Sequence, residues 1–333
     1  MPFTLPDVWT WDMWFADDGT DHHVFYLKAS RALGDPNRRH FNVTVGHAVS
    51  SDLRNWREVA DALIVSDVPA FDDYTTWTGS VLRQPDGTWR LFYTGTSRSD
   101  AGLVQRVGTA TSPDLYAWTK HGDAVAEADA RWYEKYGSGD WFDEAWRDPW
   151  VFASEDGRGW HMLVTARANT GDADERGVVG HATSEDLVSW TVQPPLSAPG
   201  AGFGQLEVPQ VAEIDGRLVL IFSCLAGELG STRRAAGGGG VWTVPIDDPL
   251  GPYPIERASR LTDESLYAGR LVQDRAGEWF LFAFHHVDER GDFIGALSDP
   301  IPVSWGRDGV LRVADGRFDH LRAHEGLVRP TGG

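Results

Sequence analysis

Cysteine is nearly missing from this chain: Cys224 stands alone among 333 residues. A single thiol excludes an internal disulfide and any zinc site built on several cysteines. Basic residues are also in deficit, 30 against 49 acidic, for a formal charge of −19. Such a surface repels a phosphate backbone, so composition argues against nucleic-acid binding. No apolar run approaches the ~20 residues of a membrane span. The opening stretch MPFTLPDVWTWDMW lacks the basic and apolar regions of a secretory signal. The expectation is a cytoplasmic protein without membrane attachment.

Motifs for several chemistries are missing too. There is no His-Glu-x-x-His and no Gly-x-Ser-x-Gly elbow. The glycine run at residues 237–240 reads as a flexible loop and is not followed by the Gly-Lys-Ser/Thr of a phosphate cradle. His22–His23 and His285–His286 are adjacent pairs on strands. Strand neighbours point to opposite faces, so neither pair chelates a metal by itself. The acidic run at residues 171–175 reads as a solvated loop. No metal and no cofactor are expected.

What the chain does have is tryptophan, 16 residues of it, and 41% hydrophobic content. Indoles stack on sugars, but they also fill β cores, and the core reading suits most of these. Three segments align without gaps: GHAVSSDLRNW from Gly46, GTATSPDLYAW from Gly108 and GHATSEDLVSW from Gly180. Each reads as a strand, a Ser/Asp turn and a Trp returning to the core. Each follows another strand: HVFYLKA, TWRLFYTG or GWHMLVTA. Two looser copies follow, GRLVLIFSC leading to GGVWTVPIDDP and GEWFLFAFHH leading to DFIGALSDP. Five repeated antiparallel units predict an all-β, five-bladed propeller, a single domain over residues 1–333. The longest insert, residues 123–146, is expected to carry a short helix.

The first strand of each blade lines the central channel, so the residue opening it faces the axis or its mouth. The openers are Asp12 in TWDMWF, Thr78 in WTGSVL, Asp148 in WRDPWVF, Glu207 in LEVPQV and Tyr267 in LYAGRLV. They are spaced 66, 70, 59 and 60 residues apart. That register explains why Arg147 and Asp148 stand directly before an apolar strand. Three carboxylates converging on one site repel each other, which keeps one of them protonated near neutral pH. An acid, an ionised partner and a third orienting carboxylate make a glycosidase-type constellation. For any one of them alone, an Asp capping a turn is the plainer reading.

The same segments, WDMW, WTGS, WRDP, LEVP and LYA, resemble the five-bladed propellers of glycoside hydrolase families 32 and 68. These are the β-fructofuranosidases and the levansucrase-type fructosyltransferases. Arg-Asp-Pro is the most specific match; family 43, which shares the propeller, usually lacks that Arg. The resemblance implies Asp12 as nucleophile, Glu207 as general acid/base and Asp148 as holder of two sugar hydroxyls. It implies hydroxyl binding by Arg147, a pocket wall of Trp11 and Trp77, and Tyr267 at the rim. Thr78 stands where Ser is usual, and Gln205 where levansucrases carry a second Glu. WDMW is nearer the levansucrase pattern than the Asn-Asp-Pro of invertases. The expectation from the short tail is a propeller without the β-sandwich that follows most family 32 propellers.

The reading is therefore a retaining glycoside hydrolase acting on β-fructofuranosides, with a small carbohydrate as its only expected partner and the oligomeric state left open. Alternatives are a fructosyltransferase of the same mechanism, an inverting family 43-like furanosidase, and a non-catalytic sugar-binding propeller. Retention expects Asp12 and Glu207 to face each other at ~5–5.5 Å, against ~6.5–9.5 Å for inversion. It also expects the raised pKa on Glu207, with Asp12 and Asp148 ionised.

Overall fold

The computed structural model describes residues 2–139 and 141–321. Its strands form five separate antiparallel sheets in chain order, the five blades of a propeller. The inner strands are Val8–Asp17, Thr75–Arg83, Trp146–Ala153, Glu207–Ile214 and Leu266–Gln273. In blade 5 the third position is shared. Phe293–Leu297 pairs with one half of Trp279–Val287, and Ile301–Trp305 with the other. The chain start joins this blade, where Phe3 and Leu297 exchange backbone hydrogen bonds at 3.1 and 3.2 Å. That exchange ties blade 1 to blade 5 and closes the ring.

The three aligned repeats have one local explanation. Each third strand ends in a Ser whose hydroxyl bonds an Asp two residues on: Ser50–Asp52, Ser112–Asp114 and Ser184–Asp186. Each Asp carboxylate then accepts two backbone N–H groups of the following turn. This turn drives the intervening leucine, Leu53, Leu115 or Leu187, to a φ of 60–68° and into the core. A left-handed leucine is strained; its burial and the Asp cap offset that. The glycine opening each repeat is set by close approach. A Cβ on Gly46, Gly108 or Gly180 would fall 2.5, 2.0 or 2.6 Å from the Tyr26 ring, the Phe71 ring or Val164.

Tryptophans behave as core residues: Trp9, Trp11, Trp14, Trp89, Trp146 and Trp242 are buried, and most others pack half-buried against the same apolar clusters. Two local expectations fail. The insert at residues 123–146 forms a short strand, Ala126–Glu127, then turns, with no helix among its described residues. Side-chain anchors override local helical preference there. Glu134 accepts from Arg167 at 2.7 Å and Arg176 at 2.8 Å, and the Tyr133 hydroxyl donates to the Gln193 carbonyl at 2.7 Å. The α-helix lies instead at Ser231–Ala236, just before the glycine run. That run is closely packed rather than loose: a Cβ on Gly239 would sit 2.3 Å from the Cys224 carbonyl, and Gly240 opens a strand. The sequence tail beyond residue 321 lies outside the described residues. No helix among the described residues is long and apolar enough to cross a membrane.

Candidate active site

Strand pairing breaks at the head of every inner strand. The register shifts between Trp11 and Met13, Trp77 and Gly79, Arg147 and Trp150, Glu207 and Gln210, and Tyr267 and Arg270. At four of the five breaks a residue other than glycine takes a positive φ: Asp12 at 36°, Asp148 at 59°, Val208 at 55° and Ala268 at 51°. A β-bulge leaves residues unpaired and re-aims their side chains, and it is over-represented beside active sites. The bulges thus turn Asp12, Thr78, Asp148 and Glu207 out of the alternating pattern and toward one end of the channel.

There a cavity of about 370 Å³ is lined by all nine residues singled out from the sequence: Trp11, Asp12, Trp77, Thr78, Arg147, Asp148, Gln205, Glu207 and Tyr267. The carboxylates share one mouth. Thr78 Oγ1 donates to Asp12 Oδ2. Asp148 Oδ2 accepts from Thr165 Oγ1 at 2.7 Å and from the Val208 amide at 3.2 Å. Its own amide donates to Thr94 at 2.9 Å, so Asp148 is fixed from blades 2, 3 and 4. Glu207 Oε1 accepts from Arg147 Nη2 at 2.6 Å, and Oε2 accepts the Tyr267 hydroxyl. Arg147 also reaches Gln205 and, at 3.1 Å, Gln105. Its place before an apolar strand carries no unmet charge: it is a buried cation balanced by Glu207 and, at 3.6 Å, Asp148. Trp77 is oriented by its Nε1–H, which donates to the His40 carbonyl at 2.8 Å.

The electrostatics differ from expectation. Burial, reinforced by the charges of Asp148 and Glu207, pushes Asp12 up to about 7 against the relief given by Thr78 and Arg39. Burial also raises Asp148, with Arg147 opposing and Glu207 reinforcing. The sequence expects Asp12 and Asp148 to be ionised, yet burial raises both. Arg147 and Tyr267 both donate to Glu207, whereas among the described residues the Asp12 carboxylate accepts from the Thr78 hydroxyl alone.

Several cavity residues escape sequence reasoning. Gln105 bridges Arg147 to Asp143 Oδ2 at 2.7 Å, and Gln205 reaches Glu228 Oε1 at 3.4 Å. Burial raises Asp143 and, with Glu207 nearby, pushes Glu228 up to about 8. Asp143 Oδ1 and Glu228 Oε2 lack hydrogen-bond partners among the described residues, on side chains that line the cavity. Arg39 and His40 enter from the Pro36–Phe41 turn. Of the histidine pairs, His286 lines the cavity, while His23 bonds His47 across the sheet at 2.8 Å. No cluster of three or more metal-ligating side chains exists among the described residues.

The fold and site define a five-bladed propeller with a carboxylate-lined cavity at one mouth of its channel. The chain belongs to glycosyl hydrolases family 32: the model of that family's N-terminal domain matches residues 15–288. By sequence it is 27% identical over 195 residues to an insoluble β-fructofuranosidase isoenzyme of Arabidopsis thaliana, covering 56% of this chain and 32% of that protein. It is 30% identical over 169 residues to β-fructofuranosidase 1 of Zea mays, covering 48% and 23% respectively. The match thus spans about a third or less of those relatives' length. The fold resembles that of inulosucrase from Halalkalicoccus jeotgali bound to kestose, with TM-score 0.76, 20% identity and coverage of 92% and 87% of the two chains. It also resembles Bacillus subtilis levansucrase, with TM-score 0.69, 16% identity and coverage of 93% and 88%.

Proposed function

We propose that the protein is a retaining glycoside hydrolase that removes fructose from β-fructofuranosides such as sucrose or short fructo-oligosaccharides. The observation that carries this is the meeting of Asp12, Asp148 and Glu207, each from a different blade, in one cavity. Family membership and the relatives described as β-fructofuranosidases support the fructoside over other furanosides.

In this reading Glu207 gives its proton to the glycosidic oxygen as the C–O bond breaks and the electron pair leaves with the aglycone. Asp12 attacks the anomeric carbon and forms an ester. Water, deprotonated by Glu207, then displaces Asp12, releases fructose and restores both carboxyls. When a sugar hydroxyl takes the place of water, the same site transfers fructose instead. Asp148, fixed by Thr165 and the Val208 amide, holds hydroxyls of the bound ring. Trp11 and Trp77 wall it, and Arg147, itself held by Gln205, orients Glu207 and nearby hydroxyls. Asp12 at about 7 is only partly ionised in the free cavity at neutral pH, so attack gains as pH rises through that value.

The test is sugar release from sucrose, kestose, inulobiose, levanbiose and aryl arabinofuranosides. Fructose release from one or more fructosides is expected; cleavage confined to arabinofuranosides overturns the substrate class. Carboxyls set for retention require a separation of ~5–5.5 Å, and the product anomer reports on that directly.

A further inference from the structure

Arg270 lies three residues past Tyr267 on the inner strand of blade 5 and is 1% exposed. It forms no direct ion pair among the described residues; its hydrogen-bond partners are main-chain carbonyls of other blades. Nε donates to Met13 O at 3.3 Å in blade 1. Nη2 donates to Gly79 O at 3.4 Å in blade 2. Nη1 donates to Val208 O at 3.4 Å and Pro209 O at 3.2 Å in blade 4. The centre of the Trp150 ring of blade 3 lies 5.4 Å from its guanidinium carbon. One side chain therefore meets the inner strands of all the other blades.

The acceptors are not arbitrary. Met13 directly follows Asp12, Gly79 follows Thr78, and Val208 follows Glu207. Each sits at the strand break that turns the preceding side chain into the cavity. A bulge disrupts the ladder locally, and a buried carbonyl left without a partner is unfavourable. A guanidinium, with five donors in a planar fork, can serve several such carbonyls at once; an ammonium cannot match that spread.

We propose that Arg270 is a positioning residue, a pin in the channel that fixes the bulges carrying Asp12, Thr78 and Glu207 and so sets the geometry of the carboxylates above it. The inference rests on the catalytic reading of Asp12 and Glu207. Arg270 does not itself line the cavity proposed to hold the sugar; it lines the space at the other end of the channel, with Phe15, Trp150 and Gln210. Its charge is also felt by Asp148 and Asp12. Asp12 faces Asp148 and Glu207 from blades 3 and 4, and Arg39 from the blade 1 loop. Arg147 faces Glu207 and Asp148.

The experiment compares Arg270→Lys and Arg270→Met with the unaltered protein, reading kcat, KM, the pH profile of kcat/KM and melting temperature, per folded molecule, beside Asp12→Asn. Arg270→Lys should lower kcat about 10- to 100-fold, the scale of a misplacement of about 1 Å, with KM within about threefold. Arg270→Met should add a shift of the acid limb of kcat/KM to higher pH, because a cation facing two carboxylates is gone. A lower melting temperature with unchanged kcat and pH profile in Arg270→Lys reduces the residue to a structural plug and overturns the proposal. If Arg270→Met does not fold, Arg270→Lys alone decides the matter. An inactive Asp12→Asn beside an unaffected Arg270→Lys sinks only the pin. An active Asp12→Asn sinks the catalytic reading, and the pin with it.

Discussion

At the cavity end of the inner strands, Asp12, Asp148 and Glu207 sit where pairing breaks, in polar contacts supplied by other blades. A few residues later the same strands run in regular antiparallel register, as in Met13–Asp17 against Tyr26–His22, and their apolar side chains join the clusters between sheets. One stretch of chain thus holds a strained, charged end and a relaxed, apolar one. The first end concentrates buried like charge, which works against folding; the second supplies the burial that tolerates it. Substitutions at the two ends should separate activity from stability.

The largest expected effect is on rate. Asp12→Asn or Glu207→Gln should each lower kcat by at least about a thousandfold, with no loss of melting temperature. Full activity in either variant removes that residue from the mechanism. The apolar packing between sheets, as on the second strand of blade 4, should behave in the opposite sense. Phe222 is fully buried, with its ring 5.1 Å from that of Phe203. Phe222→Ala should cost about 3–5 kcal/mol of stability, measured by denaturant titration, while kcat per folded molecule stays unchanged.

Asp12→Asn should also stabilise the protein in a pH-dependent way. The folded state holds the Asp12 proton up to about 7, against 3.8 for the free group. Between those values the folded form binds more protons than the unfolded form, so this group's contribution to stability falls as pH rises through the window. Removing the charge should therefore gain at most about 4 kcal/mol above pH 7, less where cavity water screens it. Below pH ~4 it should gain nothing. A gain that is independent of pH would contradict the assignment of a raised pKa to Asp12. The smallest effect belongs to Thr78→Val. Thr78 gives Asp12 its hydrogen bond and lowers its pKa, so the acid limb of kcat/KM should move to higher pH with little change on the plateau.

The contrast between the two ends also explains what can be read from the sequence. The blades are legible because their turns repeat in residue type, with Ser, Asp and Leu in fixed positions. The five blade openers are legible because channel geometry fixes their spacing, and Trp11, Trp77, Arg147 and Gln205 because the motifs around them resemble those of families 32 and 68. The bulges are not, since a shift of register leaves no periodic mark in so short a strand. Gln105, Asp143 and Glu228 each look like an isolated polar residue beside a loop, and only the fold brings them to Arg147 and Gln205. Asp143 and Glu144 do lie within four residues of Arg147, and that local charge density is a signal for Asp143 alone. The expectation of an ionised Asp12 fails for a related reason: how deeply its carboxyl is buried depends on the fold, and spacing along the chain does not encode that.

The central claim is that Asp12 attacks the anomeric carbon of a fructoside while Glu207 supplies the proton. Its most direct test is the anomer formed when sucrose is cleaved in buffer containing methanol, followed by NMR. Two successive displacements through Asp12 give methyl β-fructofuranoside. The α anomer, or no cleavage of the fructoside bond at all, would contradict the account.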